Sequence, residues 1–390
     1  MLLAASLTAA FQSGPAACVA RPSPRSAAAM SLELPRRALL QHGGAAAALT
    51  ALAPLAASAA DLGVWRQVDL PIVTEAPILF DIEFDTKDPK NGWVVGNRGT
   101  FLQTTDGGKS WTPKSFANLD PDEEINYRFT KVSFKDGEGW IIGKPAILLH
   151  TRDSGASWER VPLSPKLPGD PYSITALGPG KAEMTTSAGA IYTTENAGRN
   201  WKAEVRETID ATLNRVSSSG VQGASYFSGS INSIQRDAAG SYLAVSARGN
   251  FYLTWSPGDE FWVPHNRETS RRITSMGFVK DRLAEGLWMT TAGGEISKTN
   301  GPVDTQLINI PFEKLQIRSG GYGLLDCVFL PDGKAWAVGG GGTIFQSTNG
   351  GQTWVKDKVA DDLPSNLYKI KFFGNKGYIL GSNGVLLTNA

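Results

Sequence analysis

The sequence is dominated by one unit that recurs along most of its 390 residues. The clearest sign is a turn with a Ser or Thr, an Asp or Asn, a Gly and a final Trp, found at 104–111, 151–158, 194–201 and 347–354. Short apolar runs with alternating polarity precede each turn, as in half-buried strands. Repeats of several short strands with a period in the forties are typical of a β-propeller rather than a helical array.

The units can be counted by aligning them on a small residue that lies 12 positions before the final Trp. The anchors are separated by 47, 43, 60, 45, 48 and 42 residues and lie at Gly99, Ala146, Gly189, Gly249, Gly294, Gly342 and Gly384. The seventh unit stops halfway and lacks its outermost strand, whereas Val64–Val68 has the pattern of such a strand with no unit of its own. We therefore expect an all-β, seven-bladed β-propeller over residues 60–390, its ring closed by the N-terminal strand (about 64–68) joining the C-terminal blade. The long spacing places an insertion near 210–230.

Residues 1–59 have a different composition from the rest. They contain four Arg, one acidic residue and many Ala, which is typical of an organelle transit peptide. Arg36-Arg37, a short apolar run and Ala57-Ser58-Ala59 follow in the order of a twin-arginine export signal. We expect 1–59 to be a plastid transit peptide followed by a thylakoid-lumen signal, removed on maturation.

The rest of the chain has few of the residues and motifs that define many enzyme classes. Removing four Arg and one Glu changes the formal charge from +1 to −2, which argues against nucleic-acid binding. One Cys, Cys327, and two His, His150 and His265, remain, with no metal-ligand spacing. We expect no cofactor and no metal.

The recurring turn resembles the Asp-box of neuraminidase-like propellers. Its acidic position holds Asp106, Asp153, Asn196 and Asn349, and its aromatic position holds Trp111, Trp158, Trp201 and Trp354. Asn keeps the carbonyl acceptor of Asp but loses its charge, so the position fits a turn brace better than a catalytic carboxylate. We interpret these eight residues as structural and expect no enzyme activity. An Asp-box glycoside hydrolase or sugar-binding propeller remains the alternative.

Arginines cluster on the face opposite these turns. If each blade has strands a to d from the axis outward, the b–c turns and d–a segments share that face, and they carry Arg98, Arg128, Arg206, Arg215, Arg248, Arg267, Arg271 and Arg272. The planar guanidinium suits carboxylates and peptide carbonyls, so we predict a partner-binding surface. The alternative is that these arginines pair with Glu204, Glu207, Asp210 and Glu268 and brace their own loops.

The seven repeated units and, more specifically, the segments 206–215, 218–229, 244–255 and 264–278 carry a resemblance to a known family. Over its whole length after residue 59, the chain resembles the photosystem II stability/assembly factors of cyanobacteria and plastids. The resemblance implies a monomeric, non-enzymatic propeller in the chloroplast thylakoid lumen, peripherally associated with the membrane. It also implies binding of the precursor of the D1 reaction-centre subunit and of early assembly intermediates through an arginine patch. The fifth unit departs from the pattern, with Gln306 in place of the Trp, and we expect a looser outer edge there.

Overall fold

The computed structural model describes residues 65–72, 74–206, 208–209, 230–359 and 363–389. Within these ranges the chain forms 28 strands in seven four-stranded antiparallel sheets. In six sheets the strands follow one another in chain order from the axis outward, and the seventh combines both ends of the chain. The prediction of an all-β, seven-bladed propeller is therefore confirmed.

Strand β1 (Trp65–Gln67) precedes the first complete blade. Blades 1 to 3 consist of β2 (Leu79–Phe84), β3 (Gly92–Gly96), β4 (Phe101–Thr104), β5 (Thr112–Pro113), β6 (Arg128–Lys135), β7 (Glu138–Lys144), β8 (Ile147–Thr151), β9 (Glu159–Arg160), β10 (Pro171–Gly178), β11 (Lys181–Thr186), β12 (Ile191–Thr194) and β13 (Lys202–Ala203). A one-turn helix, α1 (Pro121–Glu124), lies between blades 1 and 2.

Blades 4 to 6 consist of β14 (Ile231–Arg236), β15 (Tyr242–Ser246), β16 (Phe251–Trp255), β17 (Val263–Asn266), β18 (Ile273–Phe278), β19 (Leu287–Thr291), β20 (Glu295–Lys298), β21 (Glu313–Lys314), β22 (Leu324–Phe329), β23 (Ala335–Gly339), β24 (Ile344–Ser347) and β25 (Val355–Asp357). Two short 3₁₀ turns, Val279–Asp281 and Leu283–Glu285, join β18 to β19. Blade 7 contains β26 (Leu367–Phe373), β27 (Lys376–Gly381) and β28 (Leu386–Asn389).

The fourth strand of blade 7 is β1, as the sequence predicts. Trp65 is opposite Asn389 in the antiparallel pair with β28. The Trp65 indole is fully buried and packs edge-on against Trp336 of blade 6 and Phe372 of blade 7. Because β1 covers the outer edge of β28, the last blade presents the same completed sheet as the others.

The innermost strand of blade 4 has an unusually weak strand pattern in its sequence. Strand β14 reads INSIQR, in which Ile231 is buried and most other positions are only partly so. The innermost strands of the other blades, such as β18 and β22, alternate large apolar residues more regularly. The weak alternation of β14 therefore gives little indication of a strand in the sequence.

The b–c turns and the d–a segments lie on one face, which we call the upper face. The amide of Gly99 in the blade-1 b–c turn donates to the Tyr127 carbonyl just before β6. In the same way, the Ile273 amide at the start of β18 donates to the Gly249 carbonyl of the blade-4 turn. Each turn is thus fixed against the entry of the next blade. The a–b and c–d turns, including the Asp-boxes, lie on the opposite face, which we call the Asp-box face.

The innermost strands surround an axial cavity of about 410 Å³. Charged side chains from neighbouring blades line part of its wall: Asp326 in blade 6, Lys369 in blade 7, Glu83 in blade 1 and Lys131 in blade 2. Lys131 pairs with Asp81 and Lys369 pairs with Asp326. The Asp326 carboxylate also accepts the amide of Ile370 from the next blade. The polar wall therefore contributes contacts between blades at the axis.

Candidate partner-binding surface

The Asp-box turns use their polar atoms internally. The Asp106 carboxylate accepts the amides of Lys109 and Ser110 and the hydroxyls of Thr104 and Ser110, at 2.6 to 3.0 Å. The hydrogen bond from the Ser110 hydroxyl contributes most to lowering the pKa of Asp106 below its usual value. A carboxylate held ionised in this way is a poor general acid.

The Asn versions of the turn have the same geometry. Asn349 Oδ1 accepts the Thr353 amide at 2.9 Å and the Ser347 hydroxyl at 2.9 Å, and Asn196 makes the corresponding contacts in blade 3. The Trp that ends each turn packs against the core, as Trp111 does on Phe84. The shared geometry fits a role in bracing the turn.

The fifth blade has a long c–d loop in place of an Asp-box. Its Ile308 carbonyl accepts the Asn266 amide at 2.8 Å, and its Leu307 carbonyl is 2.8 Å from Nδ1 of the buried His265. The loop therefore pairs with the outer strand of blade 4. The sequence predicts a looser outer edge for blade 5. The loop that leads to this edge is instead hydrogen-bonded to blade 4.

The predicted arginines form two separate groups on the upper face. Arg98 and Arg128 are exposed near the junction of blades 1 and 2. Arg248, Arg267, Arg271 and Arg272, which we call the arginine group, lie near the junction of blades 4 and 5, about half the ring away. The two groups are therefore separate candidates for a ligand contact site.

Arg267 is the brace of the arginine group. Its guanidinium and Nε donate to the carbonyls of Thr269, Ser270 and Gly249 and to Oδ1 of Asn250, at 2.7 to 3.3 Å. Arg267 thereby holds the d–a segment against the b–c turn of blade 4. For this residue the alternative of a structural arginine applies, with backbone oxygens rather than Glu268 as the main partners.

Arg271 and Arg272 extend from the loop that Arg267 holds. Arg271 Nη1 donates to the Ala292 carbonyl at 3.2 Å, its Nε is 3.6 Å from Glu295, and half of its side chain is exposed. The Arg272 side chain is exposed and has no hydrogen bond or ion pair with any residue in the described ranges. The loop thus presents a guanidinium with its donors available to a ligand.

The two remaining predicted arginines do not join the group. Arg206 lies between blades 3 and 4, where its guanidinium pairs with Glu260 and stands 5.6 Å from the Phe261 ring. Glu204, one of the acidic residues expected to pair with the arginines, accepts Thr193 and Lys202 instead, and Glu207 and Asp210 lie outside the described residues. Arg215 and most of the insertion near 210–230 lie outside the described residues.

Sequence reasoning missed several features of the upper face. Tyr322 is 54 % exposed beside the blade-6 b–c turn, and Asn366 accepts the Gly341 amide of that turn at 3.3 Å. Tyr322 stands in a glycine-rich stretch, Gly320 to Gly323, which reads as an ordinary turn. An aromatic residue in such a turn is the signal that could have revealed it.

Two properties of the described residues concern other kinds of site. Within the described ranges, no group of three or more His, Cys, Asp or Glu side chains is arranged to hold a metal ion. None of the helices in those ranges is long and apolar enough to cross a membrane.

Comparison with known proteins places this architecture in a family. A photosystem II stability/assembly factor from Guillardia theta is 58 % identical over 325 residues, which cover 83 % of this chain and 82 % of that protein. The solved structure of YCF48 from Cyanidioschyzon merolae has a TM-score of 0.78 at 52 % identity and covers 84 % of this chain and 98 % of its own. A structure described as YCF48 bound to D1 peptide has a TM-score of 0.72 at 41 % identity, covering 85 % and 96 %.

The names of these sequence relatives and of the matching family model describe assembly factors. The family model for the photosynthesis system II assembly factor YCF48 matches residues 57–390, which include the whole described ring. The chain belongs to the family of photosystem II assembly factors typified by YCF48.

Proposed function

We propose that this protein is a non-enzymatic assembly factor for photosystem II in the chloroplast. In this proposal it binds the precursor of the D1 reaction-centre subunit and early reaction-centre intermediates through the arginine group. The exposed guanidinium of Arg272, on a loop fixed by Arg267, is the observation that carries the proposal. A guanidinium on a held loop, with its donors not used inside the protein, can bind a carboxylate or backbone carbonyl without first breaking an internal contact.

The relatives support both the process and the partner class. Relatives that share about half of their residues with this chain carry the name photosystem II stability/assembly factor. A solved relative is described as bound to D1 peptide, which makes a D1 segment the first ligand to test. The proposal for this chain adds which side chains make the contact.

The proposed compartment is the thylakoid lumen, with peripheral attachment to the membrane. Its support is the order of signals in residues 1–59 and the chloroplastic names of several relatives. Cleavage after Ala59 would leave Trp65 a few residues from the new N-terminus, so that β1 can complete blade 7. We further propose that the protein acts as a monomer, because β1 covers the open edge of the last sheet.

A capture experiment tests this function. Tagged protein incubated with detergent-solubilised thylakoids is expected to retain the D1 precursor, detected by immunoblotting and mass spectrometry. The double variant Arg271→Ala/Arg272→Ala should retain much less, whereas Arg98→Ala/Arg128→Ala should behave like the wild type. Equal capture by both double variants would show that the arginine group is not the contact site. Absence of the D1 precursor from the wild-type eluate would contradict the partner.

The glycoside-binding alternative has no specific support in the geometry. The carboxylates that define an Asp-box, Asp106 and Asp153, accept hydrogen bonds within their own turns. We therefore propose no second function.

A further inference from the structure

A nearly continuous strip of the upper face leads from the arginine group to Tyr322. Arg271 donates to Ala292 in the b–c turn of blade 5 and lies against Gly293. The next residue of that turn, Gly294, is packed against Ser319 and the Tyr322 backbone. The strip thus crosses from blade 4 to blade 6 without leaving the upper face.

Tyr322 is exposed on a surface formed largely by glycines, with the Asn366 side chain beside the same turn. Its ring approaches the α-carbons of Gly320 and Gly341, since an added Cβ would be 3.9 Å and 3.3 Å from the ring at these positions. Gly321 and Gly323 face open space, with nothing within 4 Å of an added Cβ. The Tyr322 hydroxyl makes no hydrogen bond with the residues that the structure describes. We call Gly320, Gly321, Gly340 and Gly341 the glycine floor.

The glycine floor and the exposed aromatic ring beside it have properties that favour close contact with a ligand. Glycine allows the backbone of a ligand to approach closely, and a tyrosine ring offers apolar contact area at a small cost in side-chain entropy. An exposed tyrosine that is not used inside the protein gains more from burial by a ligand than a packed one does.

The charge along the strip is positive. Arg272 and Arg318 are exposed and have no ion pair with a residue in the described part of the chain. The acidic side chain nearest to Arg271, Glu295, is also paired with Lys314. The exposed Glu268 is a further acidic group on the same loop, but the arginines outnumber it. A ligand with negative charge is favoured at this end of the strip.

We propose that the strip is one binding groove for an extended, acidic peptide segment. The arginine group holds a carboxylate of the segment, its backbone crosses the glycine floor, and an aromatic or large aliphatic side chain packs on Tyr322. This inference rests on the proposed function, because it takes the bound segment to be part of the same partner protein. It adds a specificity requirement: an acidic residue alone is not sufficient, and an apolar residue must follow at the distance of Tyr322.

The first test measures peptide binding. Fluorescein-labelled 15-residue peptides that tile the D1 precursor are titrated with the protein, and the tightest binder is then scanned with Ala. Tyr322→Ala should weaken binding about tenfold, whereas Tyr322→Phe should stay within about threefold because it keeps the ring. Val355→Ala is the control, since Val355 is 60 % exposed on the outer strand β25, away from the strip.

The Ala scan gives an independent readout of the contact. If Tyr322 packs on one apolar residue of the peptide, replacing that residue by Ala should weaken binding to the wild type but have little further effect on Tyr322→Ala. Additive effects for every apolar residue of the peptide would show that Tyr322 does not contact the segment.

A second variant blocks the strip without removing a contact. Gly323 has no left-handed φ and its Cβ would meet nothing within 4 Å, so Gly323→Gln should fold normally and project a side chain next to Tyr322. We expect at least a fivefold loss of peptide affinity with an unchanged melting temperature. Unchanged affinity in both Gly323→Gln and Tyr322→Ala, together with a loss in Arg272→Ala, would overturn the groove but retain the proposed function.

Two further outcomes separate the proposals. If no D1-precursor peptide binds the wild type, the proposed function fails and the groove fails with it. If wild-type protein is dimeric by light scattering and Tyr322→Ala makes it monomeric, the strip is an interface between two copies, which contradicts a peptide groove.

Discussion

Lys371 of blade 7 places its ammonium 2.9 Å from the carboxylate of Asp81 in blade 1. The same ammonium is 3.0 Å from Glu83 and donates to the Ile82 carbonyl at 2.8 Å. Burial opposes the charge on Lys371, but Asp81 and Glu83 outweigh it and raise its pKa. The two blades that close the ring are therefore joined at the axis by an ion pair, and at the rim by β1.

Replacing Lys371 tests the axial connection. Lys371→Met should reduce the free energy of unfolding by about 3 to 5 kcal/mol, because Glu83 loses its cation and Asp81 keeps only its ion pair with Lys131. The control is Lys334→Met, which removes a more exposed pair with Asp332 and should cost less than about 1 kcal/mol. Urea denaturation followed by tryptophan fluorescence measures both. Similar small losses in the two variants would show that the axial pair is not stabilising.

The rim closure is tested at β1. Trp65→Ala should cost about 3 to 5 kcal/mol, as expected for deleting a fully buried indole. Arg66→Ala changes the exposed neighbour on the same strand and should cost less than about 0.5 kcal/mol. Trp65→Ala should also broaden the elution profile in size-exclusion chromatography, because the edge of β28 becomes available for pairing. A Trp65→Ala protein as stable as the wild type would contradict closure by β1.

The effect on stability of exchanging Asn for Asp in an Asp-box can be measured in blade 6. Asn349→Asp should change stability by less than about 0.5 kcal/mol, because the side chain still accepts the Thr353 amide. Asn349→Ala removes that acceptor and should cost about 1 to 2 kcal/mol. Calorimetry of the two variants distinguishes a turn brace from a dispensable residue. Equal stability of both would count against the brace.

The buried His265 predicts a dependence of stability on pH. Burial lowers the pKa of His265 to about 4, and its ring nitrogens contact Thr254 and the Leu307 carbonyl at 2.8 Å. The unfolded chain binds a proton below its ordinary pKa near 6.5 and the folded one does not, so stability falls with decreasing pH through this window. His265 should contribute a loss of about 2 kcal/mol between pH 7 and pH 5.

The variant His265→Gln isolates this contribution. Its stability at pH 7 is expected to be lower than that of the wild type, but its loss between pH 7 and pH 5 should be about 2 kcal/mol smaller. Denaturation curves of both proteins at pH 7, 6 and 5 provide the comparison. Parallel pH profiles would show that His265 does not titrate with unfolding.

The fold was largely predictable because its signals repeat. Seven turns at regular spacing fix the blade count, and Trp65 in a spare strand fixes the closure. The structure added what depends on neighbours in space: Asp81 and Lys371 are 290 residues apart in the chain, so no local pattern relates them. Strand β14 has only a weak sequence pattern because few of its residues are buried.

The candidate site was predictable only in part. Residue type placed the arginines on the upper face, but Arg267 and Arg272 look alike in the sequence and differ completely in their contacts. Arg267 is surrounded by backbone carbonyls of a folded loop, which cannot be recognised before the loop is built. The role proposed for Tyr322 depends on the glycines of a neighbouring turn, and the sequence around Tyr322 does not reveal that turn.

The difference between Arg267 and Arg272 provides the most direct test of the central claim. The affinity of the protein for the tightest D1-precursor peptide is measured by fluorescence anisotropy, together with the melting temperature, for Arg272→Ala, Arg272→Lys and Arg267→Ala. Arg272→Ala should lose about tenfold in affinity at an unchanged melting temperature, Arg272→Lys should recover little of it, and Arg267→Ala should lower the melting temperature. Full affinity in Arg272→Ala would contradict recognition through the arginine group.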